Sequence, residues 1–216
     1  DNNKAITYEA NSYLQSFLKN ETETSEIFDL EKWSWFMAVT DLNYYAHGSL
    51  FKSVKFFYNP IAGKFEPIPF DGHRLVVDLK NEIFNGADYR NSMPTFMLAL
   101  KCKKNINSCD NILPYKFFFN ENGKLNIEFY NMYKKNLLKI TSKKYLDKFF
   151  KKYKRDILKI NSKIYGDYFY ADNTHYFGPG LYYFNKEKFY YRGERLRFGI
   201  SNIKENLLVT QKDHKI

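Results

Sequence analysis

Residues 53–73 read SVKFFYNPIAGKFEPIPFDGH. Two runs rich in aromatic and apolar residues, Val54–Tyr58 and Lys64–Phe70, flank Asn59-Pro60-Ile61-Ala62-Gly63. Asn, Pro and Gly at such a junction are turn residues, so the stretch predicts a β-hairpin. Pro67 and Pro69 cannot donate to a ladder, which makes the second strand an edge or an irregular one. The stretch stops at Asp71-Gly72-His73. A carboxylate just past a strand, followed by glycine, is one way to hold a metal ion: the strand fixes the Cα and Gly lets the backbone turn away. Asp-Gly is also among the commonest turn pairs. Taken alone, Asp71-Gly72 favours the turn.

Outward from the hairpin, the sequence is helical. Ala10, Leu14, Phe17 and Leu18 recur at helical spacing, predicting an amphipathic N-terminal helix that fades into a polar linker, ETETSE. Asp29 is placed to cap a second helix carrying Trp33, Phe36, Met37 and Thr40. Its apolar residues exceed one stripe, so it should be buried on most sides, and Gly48 offers a left-handed cap near His47-Gly48. Residues 73–84 read as a strand or an extended passage, and a helix is expected after Pro94. From Leu125 to Ile160 the pattern is helical with a break at Thr141-Ser142. Phe129, Met132, Tyr133 and Leu137 share one face of the first segment; Leu146, Phe149, Phe150 and Tyr153 share one of the second. An antiparallel helical pair packed on the core follows. Residues 165–184 have no period and read as a long loop, and residues 187–208 as part helix. With no internal repeat and no clear boundary, one mostly helical domain spanning 1–216 is the simplest organisation.

A chain of 216 residues can bury one sizeable core. Its 21 Phe, 19 Tyr and many Lys and Asn are what AT-rich codons supply, so composition carries little function. The net charge of +10 invites a nucleic-acid reading. Against it, the lysines alternate with apolar positions along helices, as solvated faces do, and no zinc-finger spacing, aromatic RNP motif or arginine-rich arm is present. No nucleic-acid partner is expected. No run of 18 apolar residues predicts a transmembrane segment. The first residue is Asp1 rather than Met, so the lack of a signal pattern says little about compartment. Cys102 and Cys109 either close a short loop in an oxidising compartment or remain thiols.

Residues 29–73 resemble the spore-coat protein H (CotH) kinase family, an atypical kinase-like group. The matching pieces are His47 after the apolar helix, Phe56-Phe57-Tyr58-Asn59-Pro60, Gly63-Lys64, and Glu66-Pro67-Ile68 through Phe70-Asp71. The segment FYNMYKKNLLKITSKKYLDKFF resembles the family's C-terminal helices. The resemblance implies an α+β fold: a protein-kinase-like C-terminal lobe, mostly helical with a small β-hairpin. It implies ATP and Mg²⁺ as cofactors and a protein substrate with Ser or Thr acceptors, and it favours an extracytoplasmic or cell-surface setting. Asp71 would hold the metal, with Ser53 at the position of a second ligand. Asp41 and His47 compete for the residue that orients the acceptor hydroxyl. His73 and Lys55 would lie on the nucleotide side, although His73 equally reads as a packing residue.

The chain departs from the family pattern in three places. Ser53 stands where an Asn ligand is expected, and His73 where many members carry a second Asp; imidazole is a poor ligand for hard Mg²⁺. No Gly-rich phosphate loop or strand lysine for ATP is recognisable, and in the family these belong to an N-terminal lobe upstream. The alternative is therefore a degenerate relative, a scaffold or binding protein of a coat or envelope. His175 beside Gly-Pro-Gly, the tail residue His214 and the cluster Arg192, Arg195 and Arg197 read as packing or solvated groups.

Overall fold

The computed structural model describes residues 2–43, 46–49, 53–69, 94–104, 112–168 and 186–202. Within them the chain is mostly helical with one small antiparallel sheet, an α+β arrangement. Helix α1 (Asn2–Leu18) buries Phe17, while Leu18 stays half exposed. Asn20 turns the chain with a φ of 61°. The predicted linker is instead partly helical. Glu23 and Glu26 form a reciprocal capping box that starts α2 (Thr24–Ile27), a short-range pattern hidden in the acidic run.

Helix α3 (Leu30–Asn43) begins as the sequence indicates, with Asp29 Oδ1 accepting from Lys32 N at 3.0 Å. Trp33, Ser34, Met37, Ala38, Thr40, Asp41 and Leu42 are all buried, so the helix is enclosed on most sides. It ends at Asn43, and a separate 3₁₀ turn covers Ala46–Ser49. Gly48 lies inside that turn and is not left-handed; among the described residues the left-handed glycines are Gly63 and Gly123.

Strands β1 (Lys55–Asn59) and β2 (Lys64–Ile68) pair antiparallel, Lys55 opposite Ile68 and Asn59 opposite Lys64. Gly63, at φ 61°, closes the turn in a conformation other residues avoid. Asn59 Oδ1 accepts from Ile61 N and Ala62 N at 3.0 and 3.3 Å, which holds the turn locally. Pro67 sits opposite Phe56 within regular pairing; in a two-stranded sheet each strand has an open side where a missing N–H is tolerated. The hairpin is tied to α3 by one carbonyl. Phe65 O accepts from Asp29 N at 3.1 Å and from Trp33 Nε1 at 3.0 Å.

Beneath that clamp lies an aromatic cluster. Phe28 is 2% exposed and packs against Phe17, Phe117, Trp33, Phe65 and Phe56, with ring centroids between 4.9 and 6.1 Å away. Helix α4 (Thr95–Lys104) follows Pro94 as expected. Helix α5 (Ile112–Phe118) has no counterpart in the sequence reading. Leu113, Tyr115, Phe117 and Phe118 are buried around most of its circumference, which erases the one-sided period. Helix α6 (Ile127–Ile140) is capped by Asn126, and its buried face of Phe129, Tyr133, Leu137 and Ile140 makes the main helix contact with α3.

The predicted break is real: Ser142 caps α7 (Lys143–Lys152), accepting from Tyr145 N at 3.2 Å. The second predicted segment divides again at Tyr153, beyond which α8 (Lys154–Tyr168) takes in the first residues of the expected loop. Helix α9 (Lys186–Asn202) returns against α3, α6 and α7. Its Gly193 permits the approach, since a Cβ there would stand 3.0 Å from Thr141 O. Cys102 is 1% exposed and disulfide-bonded; Cys109, the only other cysteine of the sequence, lies outside the described residues. The expected extended passage at 73–84 also lies outside them, as does most of the predicted loop.

Candidate functional site

Ser34 and Asp41 stand seven residues apart on α3, two helical turns, and so face the same neighbour, α6. Asn136 Nδ2 donates to Ser34 Oγ at 2.8 Å, and the Tyr133 hydroxyl donates to Asp41 Oδ2. Two polar pairs inside an otherwise apolar seam fix the axial register of the two helices, because a slip would strand buried donors and acceptors.

Asp41 does more than pair with α6. It is 1% exposed, and its Oδ1 accepts from Thr95 N at 2.8 Å and from Thr95 Oγ1 at 2.6 Å, at the start of α4. Its backbone carbonyl accepts from Arg192 Nε of α9 at 2.9 Å. One residue thus gathers four helices. Burial pushes the carboxyl pKa up to about 6, against the opposing pull of the Thr95 and Tyr133 hydrogen bonds and the Arg192 charge. The Tyr133 hydroxyl is raised well above its ordinary value by burial and by the adjoining carboxylate.

The hairpin carries a second polar group, nearer the surface. Lys32 Nζ lies 2.7 Å from Glu66 Oε1 and 3.2 Å from Asp29 Oδ2, and Asn59 Nδ2 donates to Glu66 Oε1 at 2.7 Å. The Lys32 hydrogen bond is the main cause of the lowered Glu66 carboxyl pKa, helped by Asn59; the Glu66 bond in turn raises Lys32. These bonds brace the strand pair to the first turn of α3.

The residues singled out by sequence are distributed as follows. Asp41 is in the buried hub just described. The backbone of His47 is in the 3₁₀ turn between α3 and the hairpin. Ser53 is 6% exposed in the turn leading into β1, and Lys55 is exposed as the first residue of that strand. Asp71 and His73 lie outside the described residues. Among the described residues no group of three or more His, Cys, Asp or Glu side chains is arranged to hold a metal. A separate cavity of about 380 Å³ is lined by Phe17, Asn20, Tyr115, Lys116 and Phe119, among others, and by none of the predicted site residues. Lys116 Nζ donates there to Asn20 Oδ1 and to Phe17 O, and burial lowers its pKa.

Thr95, Tyr133 and Arg192 are the participants that the sequence reading missed in the hub. Thr95 was legible in part, as a hydroxyl directly after Pro94 at a helix start. Arg192 was not: in YRGERLRF nothing marks one of three arginines as the buried one. No protein-family profile, curated protein or solved structure matches the chain.

Proposed function

We propose that the chain is a kinase-like C-terminal lobe that works with ATP and Mg²⁺ to transfer phosphate to Ser or Thr hydroxyls of a protein. The reading rests on the resemblance of residues 29–73 to the spore-coat protein H kinase family, and one structural observation supports it. Because Lys55 pairs with Ile68, the chain entering β1 and the chain leaving β2 emerge from the same end of the hairpin. Ser53 precedes Lys55 by two residues and Asp71 follows Ile68 by three. Three residues of chain reach at most about 11 Å. A strand pair clamped to α3 through Phe65 O is a rigid base from which to present two oxygen ligands and, from the preceding turn, His47.

Asp71 would be the charged ligand of Mg²⁺ and Ser53 a neutral one, both oxygen donors of the kind a hard cation takes. The ion, when bound, neutralises charge on the transferring phosphate. Lys55 and His73 would face the nucleotide, and His47 or Asp41 would orient the acceptor hydroxyl. A second reading has its own observation. Asp41 is enclosed with both carboxylate oxygens accepting hydrogen bonds, and Ser53 is buried. That is what a scaffold that kept the architecture and lost transfer would show.

The experiment is Mg²⁺-dependent ATP binding and phosphate transfer by the full-length gene product beside an Asp71→Ala variant. Binding and transfer that vanish with Asp71, while the variant melts like the parent, support the phosphotransferase. A protein that binds no nucleotide and is indifferent to the substitution is the scaffold.

A further inference from the structure

Nine Lys and Arg residues and only two Asp lie between 143 and 163, a net +7 out of the chain's +10 in a tenth of its length. All nine basic side chains are exposed on α7 and α8. Dispersed lysines are solvent-facing padding; a charge concentrated on two consecutive helices is a field.

The same helices expose bulky apolar groups. Leu158 is 58% exposed, Ile160 56% and Phe149 41%. On α7 only Leu146 is buried and Phe150 packs on Phe189 and Tyr190 of α9, so Phe149 is left on the flank between Tyr145 and Tyr153. Along α8 every residue from Lys154 to Lys163 is exposed except Ile157 and Asn161, which are half buried. Leu158 stands one turn from Lys154 and Arg155, on the basic side of α8, and Ile160 one turn from Ile157 on the other side.

We propose that α7 and α8 form a surface that docks on an anionic phospholipid bilayer, lying in the headgroup plane without crossing it. Charge complementarity selects an anionic occupant. The aliphatic groups select lipid among anions: Leu158, on the side of α8 that carries Lys154 and Arg155, gains by entering the acyl boundary, whereas the phosphates of a nucleic acid or the carboxylates of an acidic peptide offer it nothing. The basic residues are lysine in eight of nine cases, and ammonium groups bind a diffuse negative surface without the bidentate geometry that arginine brings to a single phosphate. No helix among the described residues is long and apolar enough to span, so attachment is peripheral.

The test is co-sedimentation of the intact protein with phosphatidylglycerol–phosphatidylcholine vesicles and with phosphatidylcholine vesicles, at several salt concentrations. Two double variants accompany it, Lys151→Glu with Lys152→Glu and Leu158→Ser with Ile160→Ser; all four positions are exposed, and thermal melts by circular dichroism confirm that the fold is kept. The anionic vesicles should bind at least roughly tenfold more tightly, weakening as salt shortens the Debye length. The charge reversals should cost at least roughly tenfold, and the serine pair should cost severalfold on vesicles while leaving any binding of a short DNA duplex unchanged. Four results overturn the proposal: no preference for anionic vesicles; a serine pair that binds vesicles like the parent; tighter binding to DNA or polyglutamate than to vesicles; or self-association without lipid that the serine pair abolishes, which would make a second copy the occupant.

Discussion

Asp41→Asn should stabilise this protein at neutral pH and do little in acid. The side chain is enclosed, and its pKa stands at about 6 against 3.8 for a free aspartate, chiefly because burial disfavours the charge. A raised folded-state pKa means the folded protein holds the proton more tightly than the unfolded chain does. The stability contributed is therefore fully present below pH 3.8 and is lost as pH rises through 6. A shift of about two units corresponds to about 3 kcal/mol in full, of which about 2 kcal/mol falls between pH 4.5 and pH 7. Asparagine keeps an oxygen for Thr95 N and Oγ1, and its NH₂ can donate to a Tyr133 hydroxyl that rotates to accept. It imitates the protonated acid at every pH. Urea unfolding followed by tryptophan fluorescence, with Trp33 in the core, measures both proteins across that range. Glu66 and Asp147, whose pKa values are lowered, act in the opposite sense by weakening the fold as pH falls. They are common to both proteins, so the quantity to read is the difference. The variant should gain on the parent by about 2 kcal/mol between pH 4.5 and pH 7. A difference that is flat, or that favours the parent increasingly as pH rises, would falsify the reasoning and show a carboxylate ionised throughout and held by Arg192.

Phe28→Ala removes the ring at the meeting point of α1, α3, α5 and the hairpin. It should cost about 3–5 kcal/mol, measured by urea unfolding, and a loss under 1 kcal/mol would mean the cluster repacks. Gly193→Val puts a branched side chain where a Cβ already meets Thr141 O at 3.0 Å; a drop of about 1–3 kcal/mol is expected, whereas Ser201→Ala on the exposed side of the same helix should leave the melting temperature unchanged. Reduction of the Cys102 disulfide, if it closes on Cys109, opens a loop of eight residues and should lower stability by about 2–3 kcal/mol. Mass spectrometry of alkylated protein before and after reduction counts the thiols directly.

How much of this was legible depended on whether the information was local. Asp29, Ser142 and the Asn59–Gly63 turn act on residues two to four positions away, and each was readable from its immediate neighbours. The α6 face was readable because it is buried on one side only. Helix α5 was not, since a short helix buried all round has no period to detect. The Glu23–Glu26 capping box was lost inside a polar run that composition marks as linker. Tertiary commitments were the least visible: a sequence shows that Asp41 sits among apolar residues, but not that Thr95, 54 positions later, and Arg192, 151 positions later, close around it. The same limit applied to charge. Lysines alternating with apolar residues read as ordinary solvated faces on every helix, and it is the concentration of exposed basic side chains around an exposed Leu158 that sets α8 apart.

The hub also bears on which residue would serve the acceptor hydroxyl in a phosphotransferase. A general base needs a lone pair within hydrogen-bond reach of the proton it takes. Three of the about four acceptor sites of the Asp41 carboxylate are filled by donors on α4 and α6. Swinging it toward a substrate would leave Thr95 and Tyr133 unsatisfied in the core, at about 1–3 kcal/mol for each group. The backbone of His47 lies in the short turn Ala46–Ser49, between α3 and the hairpin and outside the helical core that holds Asp41. Asp41 is therefore expected to act on stability, and His47 on turnover. In a protein that transfers phosphate, His47→Gln should lower kcat by roughly 10²–10⁴ with an unchanged melt, and Asp41→Asn should shift the melt with kcat held within a few-fold. The reverse pattern would place Asp41 at the chemistry, requiring that its core bonds open during the catalytic cycle, which hydrogen exchange at the Thr95 amide would detect.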